Sequence, residues 1–409
     1  MKGAGARLAR NKSFRALWLG QFISIFGDRL TYLALLALIM ERAHDPRNPA
    51  PELALVPVVS FLPTILIAPL AGAFVDSWNT RTVLLVSDFI RGCLVLLMIP
   101  AAMYGGLNLA LALVFLLYVA NSFFLPARSA ILPDIVEEEE LVEANSLATL
   151  AGVAATIAGA ALGGLLVERA GWRWGLGVDA MTYFLSVGFL AAIRPRTRER
   201  RPLPGTWTAG YRAVVRDVQE GARLTLRDRA VLGPILWLVL LWVAGGALHV
   251  AGTVLLKQRM SAFVSGTGGM LATLGFGMVA GTLITAGPLG RRPPRLLGAI
   301  GLCGAGVCLI VFTRATSFPA LAAVAFTAGI FVALLLVTTE SAVQRAVAPE
   351  LRGRVFALRD FSTRVAVLAA AGALGVGLGR GWLGPEAAVA GAGAMLVIGA
   401  VVSLVGWKR

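Results

Sequence analysis

Long apolar stretches dominate this chain, and short polar clusters interrupt them at nearly regular intervals. A bilayer core about 30 Å thick needs roughly 20 apolar residues in helical form. The apolar runs therefore predict spans at about 14–40, 53–75, 82–104, 107–127, 144–167, 173–193, 230–256, 266–290, 296–313, 318–339, 355–379 and 385–407. Twelve is an even number, so both termini are expected on one side. Inside the spans, polar residues recur at helical spacing. In the first span Gln21, Ser24, Asp28 and Thr31 follow at intervals of three, four and three, with Tyr32 beside them. Trp242, His249 and Thr253 share a face of the seventh, with Gly246 between, and Tyr118, Asn121 and Ser122 share one of the fourth. Lipid cannot satisfy such a stripe, which must face protein or a water-filled cavity. Gln21, Ser24, Thr31, Tyr32, Tyr118, Asn121, Trp242 and His249 are thus the expected lining of an internal cavity.

The polar segments organise the chain. The one long, polar, Pro-containing connection is 194–229, which separates six spans from six. The expected fold is an all-α integral membrane protein: an N-terminal six-helix bundle (1–193), a cytoplasmic linker (194–229) with a surface-lying amphipathic helix near 208–226, and a C-terminal six-helix bundle (230–409). The halves echo each other. Pro133-Asp134-Ile135 and Pro349-Glu350-Leu351 lie 216 residues apart, Gly72 and Gly287 lie 215 apart, and Arg81 and Arg295 lie 214 apart. A near-constant offset is the mark of a duplicated unit.

Composition supports the membrane reading: of 409 residues, 57% are hydrophobic and only 14% charged. Soluble domains carry about 25% charged residues. The formal charge of +15 would point to nucleic acid in a soluble protein. Here the arginines collect on one side. The start (Lys2, Arg7, Arg10, Lys12, Arg15), the ten Lys/Arg of 194–229, Arg291, Arg292, Arg295, Arg345, Arg352, Arg354, Arg359, Lys408 and Arg409 all fall on the side of the termini. Arg42, Arg47, Arg169, Arg173, Lys257, Arg259, Arg314 and Arg380 fall on the other. By the positive-inside rule the termini are expected to be cytoplasmic, and no nucleic-acid partner is needed. No cleavable signal peptide is read at the start. Cys93, Cys303 and Cys308 lie in apolar runs without metal or disulfide spacing.

The segment GAFVDSWNTR (72–81) resembles the loop signature of the major facilitator superfamily, with Gly72, Asp76 and Arg81 matching and Ser77, Asn79 and Thr80 departing. NKSFRALWLGQFIS (11–24), LVSDFIRG (85–92) and LPARSAILPDIVEEEELVEANSL (125–147) are similar to its bacterial branch of macrolide-efflux and enterobactin-exporter proteins. GAALGG (159–164) looks like the fifth-span signature of drug/proton antiporters, with Ala160 in place of Pro. QFISIFGDRL and FVDSWNTR are also similar to the lysophospholipid transporters. The resemblance implies a secondary active exporter of amphipathic, drug- or siderophore-like molecules that works by alternating access, with a lysophospholipid transporter as the alternative. It further implies a cytoplasmic latch in which Asp76 meets Arg81 or the start of the eleventh span near Arg354. Gly72 is read as a point of close helix approach. Asp88 with Arg91 (i, i+3), Asp360 with Arg364 (i, i+4) and Glu340 complete the expected gate.

Asp28 and Arg29 carry the sharpest chemistry. At 1.5 Å per residue, Asp28 lies roughly 15–20 Å into its helix, near the bilayer centre. An ionised side chain there costs at least about 2.5–3.5 kcal/mol on insertion scales, so the neutral acid is favoured and proton exchange becomes natural. Arg29 points about 100° away and is available to another carboxylate or an anionic substrate. Asp28 and Arg29 are therefore the expected proton-coupling pair, and Asp179 in the sixth span is a spare candidate. The proton, the substrate and the bilayer are the partners, the chain is expected to act as a monomer, and neither cofactor nor metal is called for. An intramembrane enzyme is the remote reading: the only histidines are His44 and His249, no H-E-x-x-H motif occurs, and no Walker-type loop is present.

Overall fold

In hydrocarbon every backbone polar group must find its partner inside the protein, and each long apolar stretch of this chain does so as a helix. The structure, a computed structural model, describes residues 4–45, 47–75, 77–195 and 207–405. Its helices are α1 (Ala4–Arg10), α2 (Lys12–Arg42), α3 (Ala50–Val75), α4 (Thr80–Pro100), α5 (Gly106–Ile135), α6 (Leu141–Ala170), α7 (Trp172–Ala191), α8 (Trp207–Arg227), α9 (Arg229–Ala247), α10 (Thr253–Arg259), α11 (Phe263–Ala286), α12 (Pro294–Phe312), α13 (Phe318–Ala346), α14 (Pro349–Gly379) and α15 (Pro385–Val405). π-Helical turns at Ala101–Gly105 and Leu248–Gly252 join α4 to α5 and α9 to α10.

Eleven helical stretches among the described residues are long and apolar enough to cross a bilayer. One of them, the 56-residue run Thr80–Ile135, is a hairpin rather than a single span. Gly106 turns the chain there with φ +81°, a conformation that favours glycine. Arg91 then reaches Asn121, 30 residues later, with a hydrogen bond of 3.1 Å; a straight helix would hold them about 45 Å apart. Counting its two arms separately gives twelve candidate legs among the described residues.

Caps account for several starts. Asn79 accepts the Thr82 N–H at 3.3 Å at the head of α4, and Asp228 accepts the Ala230 N–H at 2.8 Å at the head of α9. The amide of Asn11 donates to the Ile135 carbonyl at 2.7 Å, so the end of α5 is held by the segment between α1 and α2. The sequence echo between halves is not a structural equivalence at every point: α5 runs through Pro133 to Ile135, whereas α13 stops at Ala346 and Pro349 opens α14.

The chain divides into two compact units, Met1–Arg42 with Val59–Arg212, and Ala43–Val58 with Ala213–Arg409. In the first, Phe14, Leu17, Leu84, Phe124, Ile131 and Leu190 belong to one apolar core. Small residues let its helices touch. A Cβ on Gly159 would lie 2.6 Å from the Phe26 carbonyl, and one on Gly163 would lie 3.0 Å from Leu30, so the GAALGG segment seats α6 against α2. In the second unit, Trp237, Leu302, Leu335 and Leu396 anchor the core, with the Trp237 indole donating to Ser403 at 3.1 Å. A Cβ on Gly277 would meet the Phe326 carbonyl at 2.0 Å, which sets how closely α11 and α13 lie.

The border between units passes through α3. Its first part groups with the second unit: Ala54 lies where a Cβ on Gly375 would be crowded at 2.4 Å, and the Asn48 amide donates to the Leu378 carbonyl at 2.9 Å. The expected linker helix is present as α8. Arg354 of α14 pairs with its Asp217 (3.7 Å) and Glu220 (2.9 Å), and Gly221 sits against the Arg354 backbone.

Candidate functional site

α2 and α7 run antiparallel with glycines between them. Gly20 faces Ser186, Gly27 faces Thr182 and Asp179, and Gly175 faces Ala34. α7 carries Asp179, Thr182, Tyr183 and Ser186 on consecutive turns of one face, so the close approach presses a row of polar groups against α2. Asp179 is fully buried. Thr31 donates to one of its oxygens, and Thr182 donates to the other at 3.0 Å. The Tyr183 hydroxyl donates to Asp28 Oδ1 at 2.5 Å.

α4 brings the counter-charge. Asp88 and Arg91 form a salt bridge with 0% and 2% of their side chains exposed. Ser186 donates to the second Asp88 oxygen at 2.6 Å, and Arg91 donates to Asn121 of α5. The Arg91 guanidinium lies over the rings of Phe124 (4.1 Å) and Tyr183 (4.6 Å). Tyr183 is therefore the hinge of the arrangement: its hydroxyl holds Asp28 and its ring faces Arg91. Four spans contribute to one chain of contacts, from α2 through α7 to α4 and α5. Three carboxyl groups, Asp28, Asp88 and Asp179, share this interior with the guanidinium of Arg91. Removing one member of such a buried pair leaves an uncompensated charge and costs about 3–5 kcal/mol.

Asp28 is half-buried on Tyr183, while the Nε of its neighbour Arg29 is buried with no hydrogen-bond partner among the described residues. Gln21 and Ser24 are buried, and Thr31 is turned onto Asp179, so Thr31 is a tie between α2 and α7 and does not face a passage. Tyr32 is half-buried, and Tyr118 shares a hydrogen bond with Ser60 of α3. Asn121 serves Arg91. Trp242 is exposed on α9. His249 sits in the π-helical turn with Nε2 at 3.1 Å from the Leu53 carbonyl. A carbonyl only accepts, so Nε2 carries the proton. Pro57 has no N–H with which to bond that carbonyl four residues back, and His249 takes its place; this is a structural role that the cavity assignment did not foresee.

The expected gate is regrouped. Asp88 and Arg91 do pair, but deep in the first unit, eight and eleven residues into α4, and not at its mouth. Arg81 donates to the Ala191 carbonyl at the end of α7. Gly72 has nothing among the described residues within 4 Å of where a Cβ would stand. Asp76 lies outside the described residues. In the second unit Arg359 is the centre: it bridges Glu340 of α13 and Asp360 at 2.8 Å, and lies over the Phe356 ring at 4.7 Å. Arg364 interacts electrostatically with Asp360. Sequence reasoning missed Tyr183, Thr182 and Ser186. The signal was available, because Asp179, Thr182 and Ser186 repeat the spacing of three and four that marked the first span.

Residues 17–286 match the model of the Major Facilitator Superfamily. The chain is 25% identical over 423 residues to the uncharacterized MFS-type transporter YfiS of Bacillus subtilis (strain 168), covering 98% of this chain and 95% of the relative. It is 28% identical over 332 residues to the lysophospholipid transporter LplT of Yersinia pestis (strain Pestoides F), covering 72% and 76%. Among solved structures, the nucleoside transporter NupG (D323A mutant) superposes with a TM-score of 0.77 at 12% identity, covering 97% of this chain and 100% of that one. This chain belongs to the Major Facilitator Superfamily of membrane transporters.

Proposed function

We propose that the protein is a secondary active transporter that exports amphipathic, drug- or siderophore-like small molecules by alternating access in exchange for protons. We place it in a prokaryotic inner membrane with both termini cytoplasmic. The observation that carries this reading is the Asp28–Tyr183 hydrogen bond at 2.5 Å, backed by the buried Arg91–Asp88 pair. Ionised Asp28 accepts from Tyr183; a proton arriving on Asp28 removes that acceptor charge and frees Tyr183 to shift beneath Arg91. Proton binding on α2 is thereby linked to the packing of α4 and α7. Asp179, held by two hydroxyls, is a second carboxyl that this linkage can use. Resemblance to the macrolide-efflux and enterobactin-exporter branch supports the substrate class.

The test is transport in proteoliposomes under an imposed pH gradient. Asp28→Asn should insert and fold as the parent does yet lose gradient-driven transport. Undiminished pH-dependent transport by that variant refutes the coupling role. A second reading, a lysophospholipid transporter, is favoured by the relatives of that name and by the unpartnered Arg29 Nε, which offers a cation to an anionic headgroup. Lysolipid movement in liposomes without a pH gradient would select it.

A further inference from the structure

α4 and α5 part along one side to leave a cavity of about 680 Å³, within the range of small-molecule sites. Its walls are Val86, Ile90 and Leu94 of α4 and Leu116 and Ala120 of α5. One end is different in kind. Ser77, Asn79 and Thr82 stand there beside Trp78, which stacks on Phe123 with ring centroids 6.1 Å apart and planes 13° apart. Asn79 and Thr82 are exposed and offer an amide and a hydroxyl; Val86, Ile90 and Leu116 remain 42–49% exposed along the apolar walls.

The dimensions fix the occupant. Thr82 to Leu94 is twelve residues of helix, about 18 Å. One leaflet is half of a hydrocarbon core of about 30 Å. The apolar trench therefore matches the depth of a single leaflet, with its polar end at the level where α3 hands over to α4. A cavity of about 680 Å³ has room for one acyl chain with its headgroup rather than for a two-chain lipid. A Trp at the polar end suits the interface, where amphipathic rings settle.

We infer that this groove binds a single-chain amphiphile drawn from the leaflet on the side of the α3–α4 connection, its acyl chain along α4 and α5 and its polar headgroup at Ser77, Asn79 and Thr82. The inference rests on the reading of the protein as a transporter of amphipathic molecules and makes the groove the membrane-side subsite for such a substrate. Ala120 and Ser87, which line the cavity, are each followed in sequence by a residue that holds Arg91, Asn121 and Asp88 respectively.

The experiment uses the full chain in lipid nanodiscs with a lysophosphatidylethanolamine whose acyl chain bears a photoactivatable diazirine. After irradiation, adducts should map to residues 82–123. Unlabelled lysophosphatidylethanolamine should suppress them, and diacyl phosphatidylethanolamine or glycerophosphoethanolamine should not. Ala120→Phe, which fills the floor, and Val86→Trp, which fills the rim without touching the core, should each reduce labelling at least fivefold while melting as the parent does. Adducts spread over other faces, equal competition by diacyl lipid, unchanged labelling in Val86→Trp, or no adduct because α3 or another part of this chain fills the furrow would each overturn the inference. Gradient-driven transport measured on the same protein separates the two readings. Labelling without pH-driven transport leaves the groove standing and sinks the coupling; transport without labelling sinks the groove alone.

Discussion

Gly27 decides how the polar groups of α7 meet α2. A Cβ at this position would stand 2.0 Å from Thr182 Oγ1 and 2.1 Å from Asp179 Oδ1. Either α7 retreats or Asp179 gives up the hydroxyls that hold it. Overpacking of this kind costs about 1–3 kcal/mol. Gly27→Ala is expected to lower the melting temperature of the purified protein and to impair gradient-driven transport. Gly152→Ala, whose new methyl finds only Ile25 at 3.6 Å, is expected to do neither. Equal melting of the two variants would remove Gly27 from its place in this account. The sequence makes Asp28 legible, because a carboxyl on an apolar helix stands out whatever surrounds it. Its partner is not legible in the same way: Tyr183 is 155 residues away, and an aromatic residue in an apolar span reads as core. Asp88 and Arg91 illustrate the opposite case. Their spacing predicts the pair, but only the packing of α4 between α5 and α7 reveals that it sits among Ser186, Asn121 and Tyr183.

Helix α3 carries Pro57 at the point where the chain changes from one compact unit to the other. A proline inside a helix leaves the carbonyl four residues earlier without its usual donor, and His249 supplies one to Leu53. Loss of that donor in a buried setting costs about 1–3 kcal/mol. His249→Leu should therefore destabilise the protein. The same change made together with Pro57→Ala should cost less, because an alanine N–H at 57 returns the helical bond to Leu53. Thermal unfolding of the four-member cycle measures the difference, and strict additivity would show that His249 and Pro57 do not share the Leu53 carbonyl. Elements of this length are the part of the fold most open to sequence reading, since a bilayer demands an unbroken apolar run and marks its ends with charge. The junctions are legible only in part. The apolar pattern places a break between 104 and 107, and Gly106 with its positive φ fills it, but the π-helical turn at Leu248–Gly252 leaves no compositional trace.

At the scale of the whole molecule, the distribution of charge predicts which ends of the helices face the cytoplasm, and the structure supplies a reason for the exceptions. Two of the cations expected on the far side are occupied by carbonyls or carboxylates. Arg259 donates to the carbonyls of Thr313 (2.9 Å) and Ala315 (3.0 Å) beyond α12 and to Glu386 (2.5 Å), and Arg42 pairs with Glu41 (3.3 Å). Such cations are satisfied by the protein and contribute less to the bias that sets orientation. On α8, Arg212, Arg216 and Arg227 are exposed alongside the two acids that engage Arg354. The proposed orientation can be measured. With Cys93, Cys303 and Cys308 replaced by Ala, single cysteines at Asp45 and Ser317 should react with a membrane-impermeant maleimide in intact cells. Single cysteines at Arg212 and Ala348 should react only after the membrane is opened. The reverse pattern would invert the protein and move the polar end of the α4–α5 groove to the opposite leaflet. Reaction of position 45 but not 317 in intact cells would mean an odd number of crossings between them, and the hairpin at Gly106 would then be the first feature to give up.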